Sequence, residues 1–227
     1  MTNDQRIRAQ SLAWLAPRGF KVADWLPLSG GDFNQLRPVE QIAARAMAIK
    51  ALFAFVVVPE QVLSGDYLTA FFTENNLRDA LTGGEREILL LDREVARSQH
   101  QNTIGWKLEN LWPLAWVLGF EETPTIKADQ ISSDIQNAVL HGFLPSFKTL
   151  VDEFVSQLTP RDAGEVAELE DLFYCAHNAV RSAQIGGDTV PEGFHPILHG
   201  GVVHERRHSL TWCLSPGIAW DETDLST

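Results

Sequence analysis

Apolar positions recur mostly every three to four residues along the chain, which is the period of an α-helix. Segments with this period cover roughly residues 4–16, 38–58, 60–74, 104–118, 127–141, 144–157 and 162–183, and a last helix carries the sequence HERRH. Alternating runs typical of strands are scarce, and the best of them, FKVADWL at 20–26, is short. The pattern therefore predicts an all-α fold.

Short polar signals mark where several helices begin and end. Pro38 suits the first turn of the long helix that runs to about Val58. Thr82 followed by Glu85 has the spacing of a capping box, which predicts another helix start. Gly119 stands where a C-terminal cap is expected after the Trp-rich helix.

The chain has 227 residues, a length typical of one large domain. We predict a single compact multi-helix domain over 1–227, with the Trp-rich helix at its centre because that helix is apolar on every side. Irregular loops are expected at about 24–37 and 184–200. An irregular tail is expected over 215–227, with Trp220 holding it to the body.

Acidic residues outnumber basic ones by 30 to 18, which gives a formal net charge of −12. Such a charge repels phosphate backbones and anionic lipids, so neither nucleic acid nor a membrane is an expected partner. It would attract a basic partner or a cationic ligand, so a basic protein or a small ligand is the expected partner.

Several features indicate a cytoplasmic protein. The N-terminal sequence is polar from its first residue and has no signal-peptide pattern, and the longest apolar run, 46–58, is too short to span a bilayer. The two cysteines, Cys175 and Cys213, lie in apolar helical patterns and are expected to be buried reduced thiols.

One face of the 162–183 helix carries a row of polar side chains. Glu170, Tyr174, His177 and Arg181 are spaced three or four residues apart and therefore stack on one face. They form either an ordinary solvated face or the wall of a cleft, in which His177 acts as an acid or base and Arg181 binds an anion.

Glu109 falls in the aromatic sector of the Trp-rich helix, where a carboxylate must be paired or have its pKa raised. It is expected either to pair with an arginine such as Arg206 or to act as a general base. Glu109, Asp171, Glu205 and Arg206 could form one buried charged network, which would be a structural ion-pair lock or an active site.

The sequence HERRH at 204–208 matches the H-E-x-x-H pattern of many zinc proteases. Its two histidines, His204 and His208, share one helix face. The longer form of the motif, which supplies a third metal ligand, is not matched, because Thr211 and Leu214 stand where that form needs Gly and His. Helical spacing puts Arg206 in the buried sector and leaves His204, His208 and Thr211 on a polar, exposed face. We predict neither a metal nor a cofactor.

Four blocks of the chain carry a resemblance to a known family. They are RPVEQIAARAMAI at 37–49, WKLENLWPLAWVLG at 106–119, ELEDLFYCAHNAVR at 168–181, and VVHERRHSLTW with WDETDLST within 202–227. These blocks resemble the bacterial domain-of-unknown-function family numbered 4272, and they follow one another along the chain in the same order as in that family. The resemblance implies a largely helical bacterial protein without an established activity. Glu205, Arg206 and Trp212 fit the family's final pattern, whereas His204 occupies a variable position, which argues against zinc.

The leading functional hypothesis is a non-catalytic protein that binds a partner or ligand through its acidic surface or a Trp-lined groove. The alternative is a hydrolase-like enzyme that uses some of His177, Arg181, Tyr174, Glu109 and Glu205. A zinc enzyme built on HERRH is a third and weaker hypothesis.

Overall fold

The computed structural model describes residues 1–28, 35–127 and 129–227, and all regular secondary structure in these ranges is helical. The all-α prediction is confirmed. Residues 20–26, the candidate strand, form a loop with one turn. Within the described ranges, no helix combines the length and the apolar character that crossing a membrane requires.

Ten α-helices follow one another along the described chain. They are α1 (Asn3–Leu15), α2 (Val39–Val57), α3 (Gly65–Glu74), α4 (Gly83–Leu89), α5 (Arg93–His100), α6 (Trp106–Val117), α7 (Ser133–Asn137), α8 (Val151–Val155), α9 (Ala163–Gln184) and α10 (Leu198–Cys213). A π-helical turn over Ala138–Phe143 continues α7. Short 3₁₀ turns cover Ala16–Arg18, Leu77–Ala80 and Trp220–Glu222, the last of them inside the expected irregular tail.

Two of the predicted helix signals are present at the observed helix ends. Thr82 and Glu85 form the predicted capping box at the start of α4. Gly119 adopts a φ of +115° directly after α6, and the amides of Gly119 and Phe120 bond to the carbonyls of Trp116 and Ala115. This pair of hydrogen bonds is a Schellman motif, so the expected C-terminal cap is present.

The predicted helix over 144–157 is wrong for most of its length, because only α8 forms there. Pro145 has no amide hydrogen to donate and disfavours a helical conformation of Leu144. The carbonyls of Leu144 and Pro145 bond to the ammonium of Lys50 at 3.2 and 2.7 Å instead. A tertiary contact therefore replaces the first turn of the expected helix.

The chain folds into two compact units. Unit 1 comprises Met1–Arg37, Thr123–Gln130 and Arg161–Thr227, and unit 2 comprises Pro38–Glu122 and Ile131–Pro160. Unit 1 therefore holds α1, α9 and α10, and unit 2 holds α2 to α8. The single-domain organisation over 1–227 stays a prediction.

In unit 1, α9 packs against both α1 and α10. Its inward face is apolar, with Phe173 and Val180 fully buried. Gly200 lets α10 approach closely, since a Cβ there would lie 2.6 Å from a methyl group of Val180. The close packing of these helices brings the polar side chains between them into contact.

In unit 2, α2 packs against α3, α4, α5, α6 and α8. Arg45 of α2 donates to Glu85 of α4, which also accepts from Lys107 of α6 at 2.7 Å. Burial, the largest single effect, acts to raise the pKa of Glu85, but the hydrogen bonds and charges of Arg45 and Lys107 together outweigh burial and lower the pKa to about 2. The helix α6 is buried from Leu108 to Val117, in agreement with its apolar sequence.

Candidate functional site

A group of polar side chains from α1, α9 and α10 meets inside unit 1, and we call it the buried polar cluster. Seven of its nine members are at most 8% exposed, while Tyr174 and His204 are half-buried. The members are Arg8, Ser11, Glu170, Asp171, Tyr174, His177, His204, Arg207 and Thr211.

Asp171 joins α9 to α1 through two residues. Its Oδ1 accepts hydrogen bonds from Nη2 and Nε of Arg8 at 2.8 and 3.0 Å, and its Oδ2 accepts from the hydroxyl of Ser11 at 2.7 Å. Arg8 also donates to the carbonyls of Leu26 and Pro27. Burial alone would lower the pKa of Arg8, but its bonds to Asp171 and the nearby negative charge outweigh burial and raise it. The pair is a buried ionic link between two helices.

Glu170 joins α9 to α10. Its Oε1 accepts from Nε of Arg207 at 3.2 Å and from the hydroxyl of Thr211 at 2.9 Å. Its Oε2 is buried without a hydrogen-bond partner among the described residues. Burial raises the pKa of Glu170, and the opposing effects of Arg207 and Thr211 do not cancel this.

His177 is held in one tautomer by Arg207. Nη1 of Arg207 lies 2.8 Å from Nδ1 of His177, and because a guanidinium can only donate, Nδ1 must accept. The ring proton therefore lies on Nε2, which is 3.4 Å from Nδ1 of His204. Burial, then the positive charge of Arg207, lowers the pKa of His177 to about 3, so the ring is neutral near pH 7. Burial also lowers the pKa of His204.

Tyr174 contacts two guanidinium groups. Its ring centroid is 4.5 Å from the guanidinium carbon of Arg207 and 5.4 Å from that of Arg8. These are cation–π distances, and the ring thereby connects the Asp171 and Glu170 ion pairs. Burial raises the pKa of Tyr174, which keeps its hydroxyl protonated.

The C-terminal tail is bonded to α10 beside the cluster. Arg207 donates to the carbonyl of Leu225 at 2.9 Å, and Nε2 of His208 donates to the carbonyl of Trp220 at 2.9 Å. The Trp220 ring packs on His208 at 4.4 Å and on Trp212 at 5.2 Å between ring centroids. Trp220 is 9% exposed, as its predicted role in holding the tail requires.

The remaining predicted residues of unit 1 lie outside these bonds. Arg181 is exposed and donates to Gln184 at 2.7 Å. Glu205 is half-buried, and its carbonyl accepts from the hydroxyl of Ser209. Arg206 is 1% exposed and donates to the carbonyls of Thr125 and Asp129. The buried position expected for Arg206 is observed.

Glu109 belongs to unit 2, where it is 1% exposed and accepts from the amide of Ile131 at 2.8 Å. The network proposed for Glu109, Asp171, Glu205 and Arg206 stays a prediction, and so does the catalytic role of Tyr174, His177, Arg181, Glu109 and Glu205. Asp171, for its part, is bonded to Arg8 and Ser11.

The histidines of HERRH are engaged by neighbours on α9 and in the tail. The rings of His204 and His208 are 6.3 Å apart, and they face His177 and Trp220 respectively. Among the residues that the structure describes, no three or more His, Cys, Asp or Glu side chains are grouped so that they could hold a metal ion. The prediction that Thr211 lies on an exposed face is wrong, since Thr211 is 4% exposed and bonds to Glu170.

A second feature of unit 1 is a pocket of about 520 Å³, which we call the aromatic pocket. It lies between the end of α1 and the loop before α10, and its walls include Trp14, Arg18, Phe20, Lys127, Pro191 and Phe194. Gly19, at a φ of +88°, allows the chain to turn there, and its position for a Cβ is only 3.3 Å from the α-carbon of Pro191. The rings of Phe20 and Phe194 meet edge to face at 5.5 Å.

Several of these residues are not predicted by the sequence pattern. Arg207 could have been found, because the helical spacing that places Arg206 near Val203 and Leu210 places Arg207 there as well. Arg8 carries no such signal, since its partner Asp171 is 163 residues away. The aromatic pocket is also absent from the sequence pattern, because most of its walls come from turns and loops without helical period.

Comparison with curated proteins and with solved structures finds no match. The family model described as a domain of unknown function, DUF4272, matches residues 7–223. The match covers almost the whole of both units and includes three of the four blocks that carry the resemblance and the fourth as far as residue 223. The chain therefore belongs to the DUF4272 family.

Proposed function

We propose that the chain is a non-catalytic binding protein whose ligand is a small molecule that occupies the aromatic pocket of unit 1. The observation that carries the proposal is the pocket itself, whose volume of about 520 Å³ lies in the range typical of small-molecule sites. Sites of this kind combine apolar walls with a few polar groups.

The aromatic walls support binding of a flat apolar body. Trp14 is 36% exposed, whereas tryptophans are on average highly buried. Phe20 and Phe194 also line the pocket. They come from a turn and a loop that are held together by the amide of Lys21, which donates to the carbonyl of Thr189. A ring inserted into this pocket would gain both apolar burial and aromatic contact.

The buried polar cluster supports a structural role rather than catalysis for its own residues. A general base needs an accessible lone pair near its substrate. Nδ1 of His177 accepts from Arg207, and its Nε2 faces His204. The carboxylates of Glu170 and Asp171 are likewise bonded to arginines on neighbouring helices. We therefore assign ligand binding to the aromatic pocket and a structural role to the buried polar cluster.

The test uses indole as an uncharged probe and ligand-observed saturation-transfer NMR on the full chain. We expect saturation transfer to indole in the wild type. Trp14→Ala and Phe194→Ala should each weaken the affinity by about three- to tenfold, the range that one aromatic contact provides.

Trp25→Ala is the matched control, because Trp25 is 71% exposed in the same unit and does not line the pocket. It should leave the affinity for indole unchanged, and melting curves of all three variants should show that they fold. Absence of saturation transfer in the wild type, or an equal loss in Trp25→Ala, would overturn the proposal.

A further inference from the structure

The aromatic pocket has a charge opposite to that of the whole chain. Its charged wall residues are Arg18, Lys127 and Glu192, two cations and one anion, whereas the chain has a formal charge of −12. A pocket of this sign attracts an anionic ligand and disfavours a cationic one. The ligand of this pocket therefore differs in charge from the basic partner that the overall composition favours.

Arg18 is fixed in place by Trp14 rather than by an acid. Its guanidinium carbon lies 3.8 Å from the centroid of the Trp14 ring, and its Nη1 donates to the Trp14 carbonyl at 2.7 Å. Both contacts restrict the long side chain before any ligand arrives. Preorganisation of this kind reduces the entropy lost on binding.

The other edge of the Arg18 guanidinium is available. No hydrogen bond from Nε or Nη2 and no carboxylate within ion-pair distance is found for Arg18 in the described residues, whereas Arg8 and Arg207 of the same unit are paired with acids. Nε and Nη2 point the same way and form the planar fork that binds the two oxygens of a carboxylate. Arg18 thus offers a ready carboxylate site at the wall of an aromatic pocket.

We infer that the ligand of the aromatic pocket is a planar aromatic carboxylate, whose ring contacts the aromatic residues that line the pocket and whose carboxylate is bound by Nε and Nη2 of Arg18. This inference rests on the proposed function. Lys127, an exposed residue of the pocket wall, adds a second positive charge to the pocket. The pocket volume suits a one- or two-ring body.

The test compares two probes of equal shape, indole-3-carboxylate and its uncharged amide, by isothermal titration calorimetry with the full chain. We expect the wild type to bind the carboxylate about tenfold more tightly than the amide, the size of one charge-assisted hydrogen-bonded contact. The preference should shrink as salt is added, since both Arg18 and Lys127 are near solvent.

Arg18→Gln should abolish the preference of the chain for the carboxylate over the amide, whatever its effect on the affinity for the amide itself. Arg181→Gln is the matched control, because Arg181 is an exposed arginine of the same unit that bonds only to Gln184 among the described residues. It should retain the full preference.

The outcomes separate the inference from the proposed function. If the wild type binds both probes equally, or if Arg18→Gln keeps the preference, the inference is overturned while the pocket remains a ligand site. If neither probe binds the wild type, the proposed function itself fails. The comparison of the two probes in the wild type needs no variant, so a folding defect in Arg18→Gln cannot hide the answer.

Discussion

Arg207 donates a hydrogen bond from Nη1 to Nδ1 of His177 at 2.8 Å. The bond fixes the histidine as the neutral Nε2–H tautomer, because a positive guanidinium cannot face a protonated Nδ1. The same guanidinium bonds to Glu170 on α9 and to the carbonyl of Leu225 in the tail. One arginine of α10 therefore connects the neighbouring helix and the C-terminal tail.

The first prediction concerns the pH dependence of stability. The pKa of His177 falls from 6.5 to about 3 on folding, so between these values the unfolded chain binds a proton that the folded chain does not. The free energy of unfolding should therefore decrease as the pH drops from about 6.5 towards 3, by up to about 1.4 kcal/mol per pH unit from this group.

Urea unfolding at several pH values checks this dependence in the wild type and in His177→Asn. The asparagine keeps an acceptor for Arg207 but does not titrate, so its slope should be smaller, with the remainder due to groups such as His204, whose pKa is also lowered. An unchanged slope in His177→Asn, or a His177 ring that titrates near pH 6.5 by NMR, would contradict the assignment.

The second prediction concerns the ion pair of Glu170 and Arg207. Arg207→Met leaves Glu170 buried without its cation and should lower the free energy of unfolding by about 3–5 kcal/mol. Adding Glu170→Gln removes the uncompensated charge, so the double variant should be more stable than the sum of the single effects predicts, by about 1–3 kcal/mol.

Urea unfolding of the two single variants and the double variant measures this coupling. Arg181→Met serves as the control, since Arg181 is exposed and should change the free energy of unfolding by no more than about 0.5 kcal/mol. Strictly additive effects of the two substitutions would show that the 3.2 Å contact between Nε and Oε1 contributes nothing.

Local sequence signals predict local structure well in this chain. The Thr82 capping box and the Gly119 cap are both present, because each depends on residues within about one helical turn. The all-α fold follows from the same local period. The helix expected over 144–157 fails where a distant side chain, Lys50, takes the carbonyls that the helix would use.

Partners that are far apart in sequence are not predictable in the same way. Helical spacing places Asp171 and His177 beside the core, but it does not identify Arg8 or Arg207 as the residues that bond to them. The aromatic pocket depends on how the Gly19 turn meets the loop around Pro191, and no periodic pattern describes either segment. The geometry of the cluster and of the pocket therefore follows only from the tertiary structure.

The third prediction concerns Gly119 after α6. Gly119→Ala puts a Cβ at a φ of +115° and 2.7 Å from the carbonyl oxygen of Thr159, so we expect a loss of about 2–4 kcal/mol in the free energy of unfolding. Gly217→Ala, at a φ of +87° with open space around it, should cost only about 1 kcal/mol of backbone strain.

Thermal and urea unfolding of these variants separates the cost of a positive φ from the cost of the close contact with Thr159. Gly142→Ala is the control without either effect, because it has negative φ and nothing within 4 Å of its Cβ position, and it should be neutral or slightly stabilising. If Gly119→Ala and Gly217→Ala cost the same, the close approach of Thr159 has no energetic consequence.

The last prediction compares two ion pairs that join the same two helices, α1 and α9. Arg8 and Asp171 are buried, with side chains 10% and 4% exposed, whereas Arg6 and Glu168 are 42% and 48% exposed. Asp171→Ala leaves a buried arginine without its anion and should cost about 3–5 kcal/mol, while Glu168→Ala should cost less than about 1 kcal/mol because water screens the exposed pair. Hydrogen exchange of the α1 amides should accelerate strongly in Asp171→Ala and hardly change in Glu168→Ala. Equal acceleration in both variants would mean that burial of the Arg8–Asp171 pair does not determine how firmly α1 is held on α9.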